Sequence, residues 1–228
     1  MCPSGGYIFW PGRDGDHERS QLETMADHTR VGATNAGRGD TRSAMRRRDR
    51  GKDDEWAAAF LKRAPYGFMA TVGEGGQPFL NSNLFVFDDS GGGRRIYLHT
   101  NRTGRTRSNL DAAEKVAFSA VAMGRLLPAP EALEFSVEYS GVVAFGTGRV
   151  IKDREEARAA LQMLLDKYAP HLRPGEHYRP TTDDELKRTA VYRIDVETWS
   201  GKQKEAAPEF PGAFSLDALT VPFPERTL

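Results

Sequence analysis

The chain has 228 residues and a single cysteine, Cys2, so no intramolecular disulfide can form and no cysteine-based metal cluster can assemble. A reducing, cytoplasmic setting follows as the expectation. An excess of charge is lacking too: Lys plus Arg and Asp plus Glu both total 32, for a formal net charge of +0. That balance gives no reason to expect nucleic acid or a membrane as partner. No apolar stretch reaches the ~20 residues of a membrane span, and residues 7–10 are too short a run for a signal-peptide core. His17, His28, His171 and His177 lie in tail or loop sequence without metal-ligand spacing, so no metal site is expected.

What is present suits one domain with tails. Residues 1–44 are rich in Gly, Arg, Asp and Thr, have no apolar periodicity after Trp10, and read as a disordered or weakly ordered extension. Tyr7 to Trp10 are the one candidate for a docked apolar anchor there, and Met45 is an alternative start. The basic cluster RRRDRGK at 46–52 reads as a solvated lead-in rather than a nucleic-acid site, because it is short and lacks interleaved aromatics. Helices are expected over 55–63, with Trp56, Ala59 and Phe60 on one face, and over 153–168, with Ala157, Leu161, Leu164 and Leu165 as the buried stripe. A short helical turn is expected over 184–187. Strands are expected over 67–72, 78–87, 95–99, 115–121, 139–151 and 191–196, with a Pro-containing loop over 123–133. Glycines 141, 146 and 148 suggest bending, a bulge or close approach of another backbone. Six strands with flanking helices argue for a small closed or partly closed antiparallel barrel over 45–204, followed by a tail, 205–228, that is either an extended arm or disordered.

The most informative stretch is 78–110, PFLNSNLFVFDDSGGGRRIYLHTNRTGRTRSNL, which reads as strand, turn, strand, polar loop and helix start. Its loop sets hydroxyls, Gly104 and several arginines just before a helix N-terminus, where free N–H groups carry partial positive charge. A phosphate suits such a loop, with Arg105 as a bidentate fork and Thr103 or Thr106 as hydroxyl donor. A solvated surface loop is the competing interpretation.

Residues 70–110, with RRRDR at 46–50, APYGFMAT at 64–71, GRVIKDREEARAALQMLLDKYAP and the late WSGK, resemble the FMN-binding split-barrel proteins related to pyridoxamine 5′-phosphate oxidase. Within that group the similarity is greatest to nitroimidazole-resistance-type flavoproteins. The resemblance implies a mainly β fold with flanking helices, a six-stranded antiparallel split barrel, and a homodimer with its cofactor at the subunit interface. It implies a phosphate contact at Arg105, beside Thr100 and Thr106, and a flavin edge along Asn81, Ser82, Asn83 and Leu84. Trp199 and Lys202 are implied cofactor contacts from the last strand, and His99 is a candidate proton donor. Asn81 and Val86 replace an Arg and a Lys of the oxidase pattern and its late Arg-Leu-x-Pro feature is absent, which argues against pyridoxamine phosphate as substrate, and Gly141 replaces a Gln, so that cofactor contact is lost.

The implied activity is transfer of hydride or electrons from a nicotinamide donor to a small acceptor, a nitroaromatic being one candidate. FMN would carry that chemistry, which accords with the lack of a catalytic triad or carboxylate pair. A deazaflavin is an alternative cofactor, and a non-catalytic storage or sensor module for flavin or haem is the alternative function.

Overall fold

The computed structural model describes residues 41–215, so the expectations for 1–40, including the 7–10 anchor, and for 216–228 lie outside the described residues. Local signals explain the helices. Asp53 accepts from the Trp56 N–H at 2.8 Å and opens α1 (Asp54–Arg63); Asp153 accepts from the Glu156 N–H at 2.8 Å and opens α3 (Arg154–Tyr168). Between them lies α2 (Arg105–Ala112), and a Thr182/Glu185 capping box starts α4 (Asp183–Arg188). The buried stripes differ slightly from expectation: Ala57 and Leu61, not Ala59, accompany Phe60, while Ala160 replaces the exposed Leu165.

Eight strands form one antiparallel sheet: β1 (Gly51–Lys52), β2 (Gly67–Val72), β3 (Pro78–Asn83), β4 (Val86–Asp88), β5 (Arg95–Asn101), β6 (Lys115–Leu127), β7 (Ser136–Val150) and β8 (Thr189–Lys204). Their order is β3-β2-β6-β7-β8-β5-β4, with β1 paired to β8, so the sheet does not close and β3 and β4 are its two ends. It nevertheless curls around a single main core. Phe85, at the β4 end, meets Phe118 of β6 at 4.8 Å between ring centroids, although three strands stand between β4 and β6 in the sheet. Tyr97, Ala157, Ala160 and Val191 form a second, smaller core under α3. Among the described residues no helix is long and apolar enough to cross a membrane.

The expected strand 78–87 is two strands, and they sit at opposite ends of the sheet. Composition is β-prone throughout, so periodicity does not mark the break. Tertiary contacts do. Phe85 is fully buried, its N–H donates to the Tyr168 hydroxyl at 3.1 Å, and its carbonyl accepts from Lys167 Nζ and the Tyr168 hydroxyl at 2.9 Å each. These bonds satisfy its backbone without a neighbouring strand.

The expected loop over 123–133 is likewise strand as far as Leu127, with a register shift between Met123 and Leu126. Its far end is held by the described part of the C-terminal arm. Leu126 exchanges backbone hydrogen bonds with Phe214, and Arg125 pairs with Glu138 at 2.7 Å while donating to the Pro208 carbonyl at 2.8 Å. Glycine 146 is both bulge and close approach: the β7–β8 register shifts at Phe145/Gly146, and a Cβ there would lie 2.1 Å from the Asp195 carbonyl oxygen.

Candidate functional site

Two adjacent features build the site: the end of β5 with the start of α2, and the edge strand β3. Asn101 Oδ1 accepts from the Thr103 N–H at 3.2 Å, which turns the chain, and Arg102 N–H and Nη1 donate to the Arg188 and Lys187 carbonyls at 3.1 and 3.0 Å. The loop is thus tied to the end of α4. Gly104 follows with φ +142°, a value that L side chains rarely adopt, and no side chain caps α2. Its first-turn N–H groups therefore face the loop with their partial positive charge.

Thr106, on that first turn, is buried and accepts from Asn81 Nδ2 of β3 at 3.2 Å. One turn further, Asn109 Nδ2 donates to Thr71 Oγ1 of β2 at 2.9 Å, both residues being buried. The helix start is fixed to the sheet by these two side-chain bonds. Arg105 is exposed, makes no ion pair among the described residues, and lies with its guanidinium 4.9 Å from the Phe79 ring centroid on β3. Thr100 shares its hydroxyl with Tyr192 at 3.0 Å.

The edge strand supplies the other wall. Phe79, Asn81 and Asn83 alternate onto one face, and Asn83 Oδ1 is buried with no hydrogen-bond partner among the described residues. A buried amide oxygen without a donor is costly, so it fits a ligand N–H or O–H. Ser82 and Leu84 are exposed instead. Loop N–H groups, an unpaired guanidinium and an orphaned amide acceptor together suit a phosphate-bearing ligand with a polar ring edge.

The remaining expected site residues lie elsewhere. His99 points from β5 to the opposite face from Thr100. It is exposed overall, yet the protein around its ring desolvates the imidazole enough to push its pKa below 6.5. Trp199 is a core residue: it is 8% exposed, its Nε1 donates to Asp54 Oδ1 at 2.6 Å, and it packs 5.6 Å from Phe87. Lys202 lies beside Tyr139, its Nζ 5.4 Å from the ring centroid. His99 and Thr100 pair with Val191 and Ala190, so Trp199 stands about 25 Å along β8 from that register. Within one chain these residues do not meet the loop.

Sequence reasoning missed Phe79, Thr71 and Asn109, whose roles depend on which strand lies beside α2. It also missed Tyr139 and Arg50, neighbours of Lys202. A cavity of about 360 Å³, lined by Arg102, Arg107, Lys152, Leu186 and Val191, lies on the other side of α2 from Arg105.

Comparison with known proteins gives the family and the fold. A family described as pyridoxamine 5′-phosphate oxidase matches residues 53–203. The flavocytochrome Anf3 from Azotobacter vinelandii is similar at 23% identity and TM-score 0.63, covering 74% of this chain and 75% of that one. An FAD and haem binding protein from Mycobacterium smegmatis is similar at 25% identity and TM-score 0.58, covering 69% of this chain and 74% of that one. A candidate 5-nitroimidazole antibiotic resistance protein from Bacteroides thetaiotaomicron is similar at 18% identity and TM-score 0.54, with 68% and 89% coverage. No curated protein matches the chain.

Proposed function

Because the chain belongs to the pyridoxamine 5′-phosphate oxidase-like, flavin-binding family, we propose that it is an FMN-dependent oxidoreductase passing hydride or electrons from a nicotinamide donor to a small acceptor, a nitroaromatic being one candidate. The observation that carries this reading is that Arg105, at the uncapped start of α2, lies against Phe79 of the same edge strand whose inward face carries the orphaned Asn83 oxygen.

Bound flavin would supply the redox chemistry itself. The chain's own residues would bind and orient it. Arg105 and the first-turn N–H groups would hold the phosphate, and Asn83 would accept from the ring edge. The Asn81–Thr106 bond would keep the two walls in register. A protein in the cytoplasm is the matching setting.

A homodimer is part of this proposal. Leu80, Val121, Met123 and Val143 share one sheet face and are 66%, 50%, 55% and 37% exposed. A contiguous apolar face of that kind favours cover by a second copy. Lys202, remote from the loop within one chain, would then contribute to the cofactor site only through the partner, while Trp199 stays in its own chain's core.

Similarity to an FAD and haem binding protein favours a second reading, a flavin- or haem-binding storage or sensor module. The absorption spectrum of the purified protein, with mass spectrometry of any released ligand, decides between them. A flavin band that NADH or NADPH bleaches without oxygen supports the enzyme, and flavin that neither donor reduces, or a Soret band, supports the module. A colourless protein that neither flavin nor haem reconstitutes sinks both. Sedimentation at increasing concentration tests the dimer, and a monomer throughout would overturn it.

A further inference from the structure

Lys167 and Tyr168, the last two residues of α3, meet the chain where β3 gives way to β4. Gly67 and Asn83 form the last registered pair of β2 and β3, and the same register carried two residues further would set Pro65 opposite Phe85. Those two backbones are joined through a phenol oxygen: the Phe85 N–H donates to the Tyr168 hydroxyl at 3.1 Å, and that hydroxyl donates to the Pro65 carbonyl at 2.7 Å. We propose that Tyr168, supported by Lys167, is a positioning residue for the flavin, fixing the end of the β2–β3 pair so that Asn83 meets the ring edge.

The proline explains why side chains are needed here. Pro65 has no N–H, so it cannot return a bond to the Phe85 carbonyl as a paired strand residue would. Lys167 Nζ takes that place, donating to the Phe85 carbonyl at 2.9 Å and reaching the Leu61 carbonyl of α1 at 3.4 Å. The Phe85 carbonyl also lies 2.9 Å from the Tyr168 hydroxyl, but a hydroxyl has one proton, and with the ammonium on Phe85 it is free for the nearer Pro65 oxygen. Burial pushes the pKa of the Tyr168 phenol above 10.0, so at neutral pH it keeps the proton that this bridge uses.

Asn83 depends on this bridge in a way that Asn81 does not. Asn81 is fixed through its own side chain by Thr106 at 3.2 Å, whereas Asn83 Oδ1 is buried with no hydrogen-bond partner among the described residues. Its place is therefore set by the backbone. The bridge grips both strands two residues beyond the Gly67–Asn83 pair, where the inner side is already filled. The Phe118 ring packs on Phe85 at 4.8 Å between centroids, and a Cβ at Gly67 would lie 2.2 Å from that ring. Packing leaves the backbone no room to shift inward, and the phenol stops the two strands from parting.

The positioning role rests on the flavin reading, because Asn83 matters here only as an acceptor for the ring. Tyr168 and Lys167 act through the strand and not on the cofactor. In this they differ from Arg105, which would bind the phosphate itself.

The test titrates the purified full chain with FMN, following flavin fluorescence and the visible absorption band, in wild type, Tyr168→Phe, Asn83→Ala and the double variant. Tyr168→Phe should weaken binding by about fivefold or more and shift the band in the same direction as Asn83→Ala. In the Asn83→Ala background it should cost little further affinity, whereas combined with Arg105→Ala the two losses should multiply. A tyrosine that only stabilises the fold would lower the melting temperature in both backgrounds alike and leave the band unmoved. If Tyr168→Phe does not fold, Lys167→Met carries the test with the same expected pattern, and Lys167→Arg should restore binding. Wild type that binds no FMN defeats the flavin reading and the positioning role with it. Wild type that binds, with affinity unchanged in Tyr168→Phe or falling equally with and without Asn83, overturns the positioning role alone.

Discussion

Asn81 of β3 donates to the hydroxyl of Thr106 on α2 at 3.2 Å, joining the edge strand to the helix start across 25 positions of sequence. This bond sets the spacing between the two walls of the candidate cofactor site.

Removing it should be felt as coupling. Asn81→Ala and Thr106→Val are each expected to cost about 1 kcal/mol, and the double variant less than their sum. Denaturant unfolding of all four proteins measures the coupling. Strict additivity would show that the bond does not hold the walls together.

Arg105 is exposed and makes no ion pair among the described residues, so it contributes little to folding. Arg105→Ala should leave the unfolding midpoint nearly unchanged while weakening FMN binding more than tenfold, because charge-assisted bonds are worth about 1.5–3 kcal/mol. Flavin fluorescence titration reads the effect. Unchanged affinity would remove Arg105 from the phosphate site.

Lys167 holds the crossover at Phe85 with no ion pair among the described residues, and desolvation pushes its pKa down to about 8 from 10.5. A folded pKa below the unfolded one means that the unfolded chain binds the extra proton between those values. Stability contributed by this group should therefore rise as pH increases from about 8 towards 10.5, and its penalty should be fully present below that window. Unfolding free energies of wild type and Lys167→Met across the window should differ in slope, with the variant flatter. Parallel pH profiles would refute the assignment.

Gly146→Ala should destabilise the protein by about 1–3 kcal/mol, at the upper end because the obstructing atom belongs to backbone and cannot swing aside. A Cβ at Gly146 would lie 2.1 Å from the Asp195 oxygen, whereas one at Gly75 meets nothing within 4 Å. Gly75→Ala is thus the control, expected near neutral. Calorimetric melting of the two variants checks the contrast.

Much of the fold is legible in sequence because its cause is local. Asp53 and Asp153 cap helices by bonding N–H groups three residues away, and the acidic first turns and following prolines mark where those helices begin and end. The loop before α2 is legible for the same reason: Gly104 and its polar neighbours announce a helix start that can face an anion. In α3 the expected stripe includes Leu165, which is exposed, and omits Ala160, which is buried, because packing against the sheet and not side-chain size alone selects the buried face.

The sequence by itself determined the helices, most of the strand segments, the family pattern and the phosphate-suited loop, all of which follow from short-range periodicity, capping and turn chemistry. Only the tertiary structure decided that 78–87 breaks at Phe85, that Trp199 belongs to the core, that His99 and Thr100 face apart, and that Tyr168 bridges Pro65 and Phe85. Those facts depend on strand order and register, which are fixed by the burial of residues far apart in the chain. A β-prone run has the same local pattern whether it continues along one neighbour or crosses to the other end of the sheet.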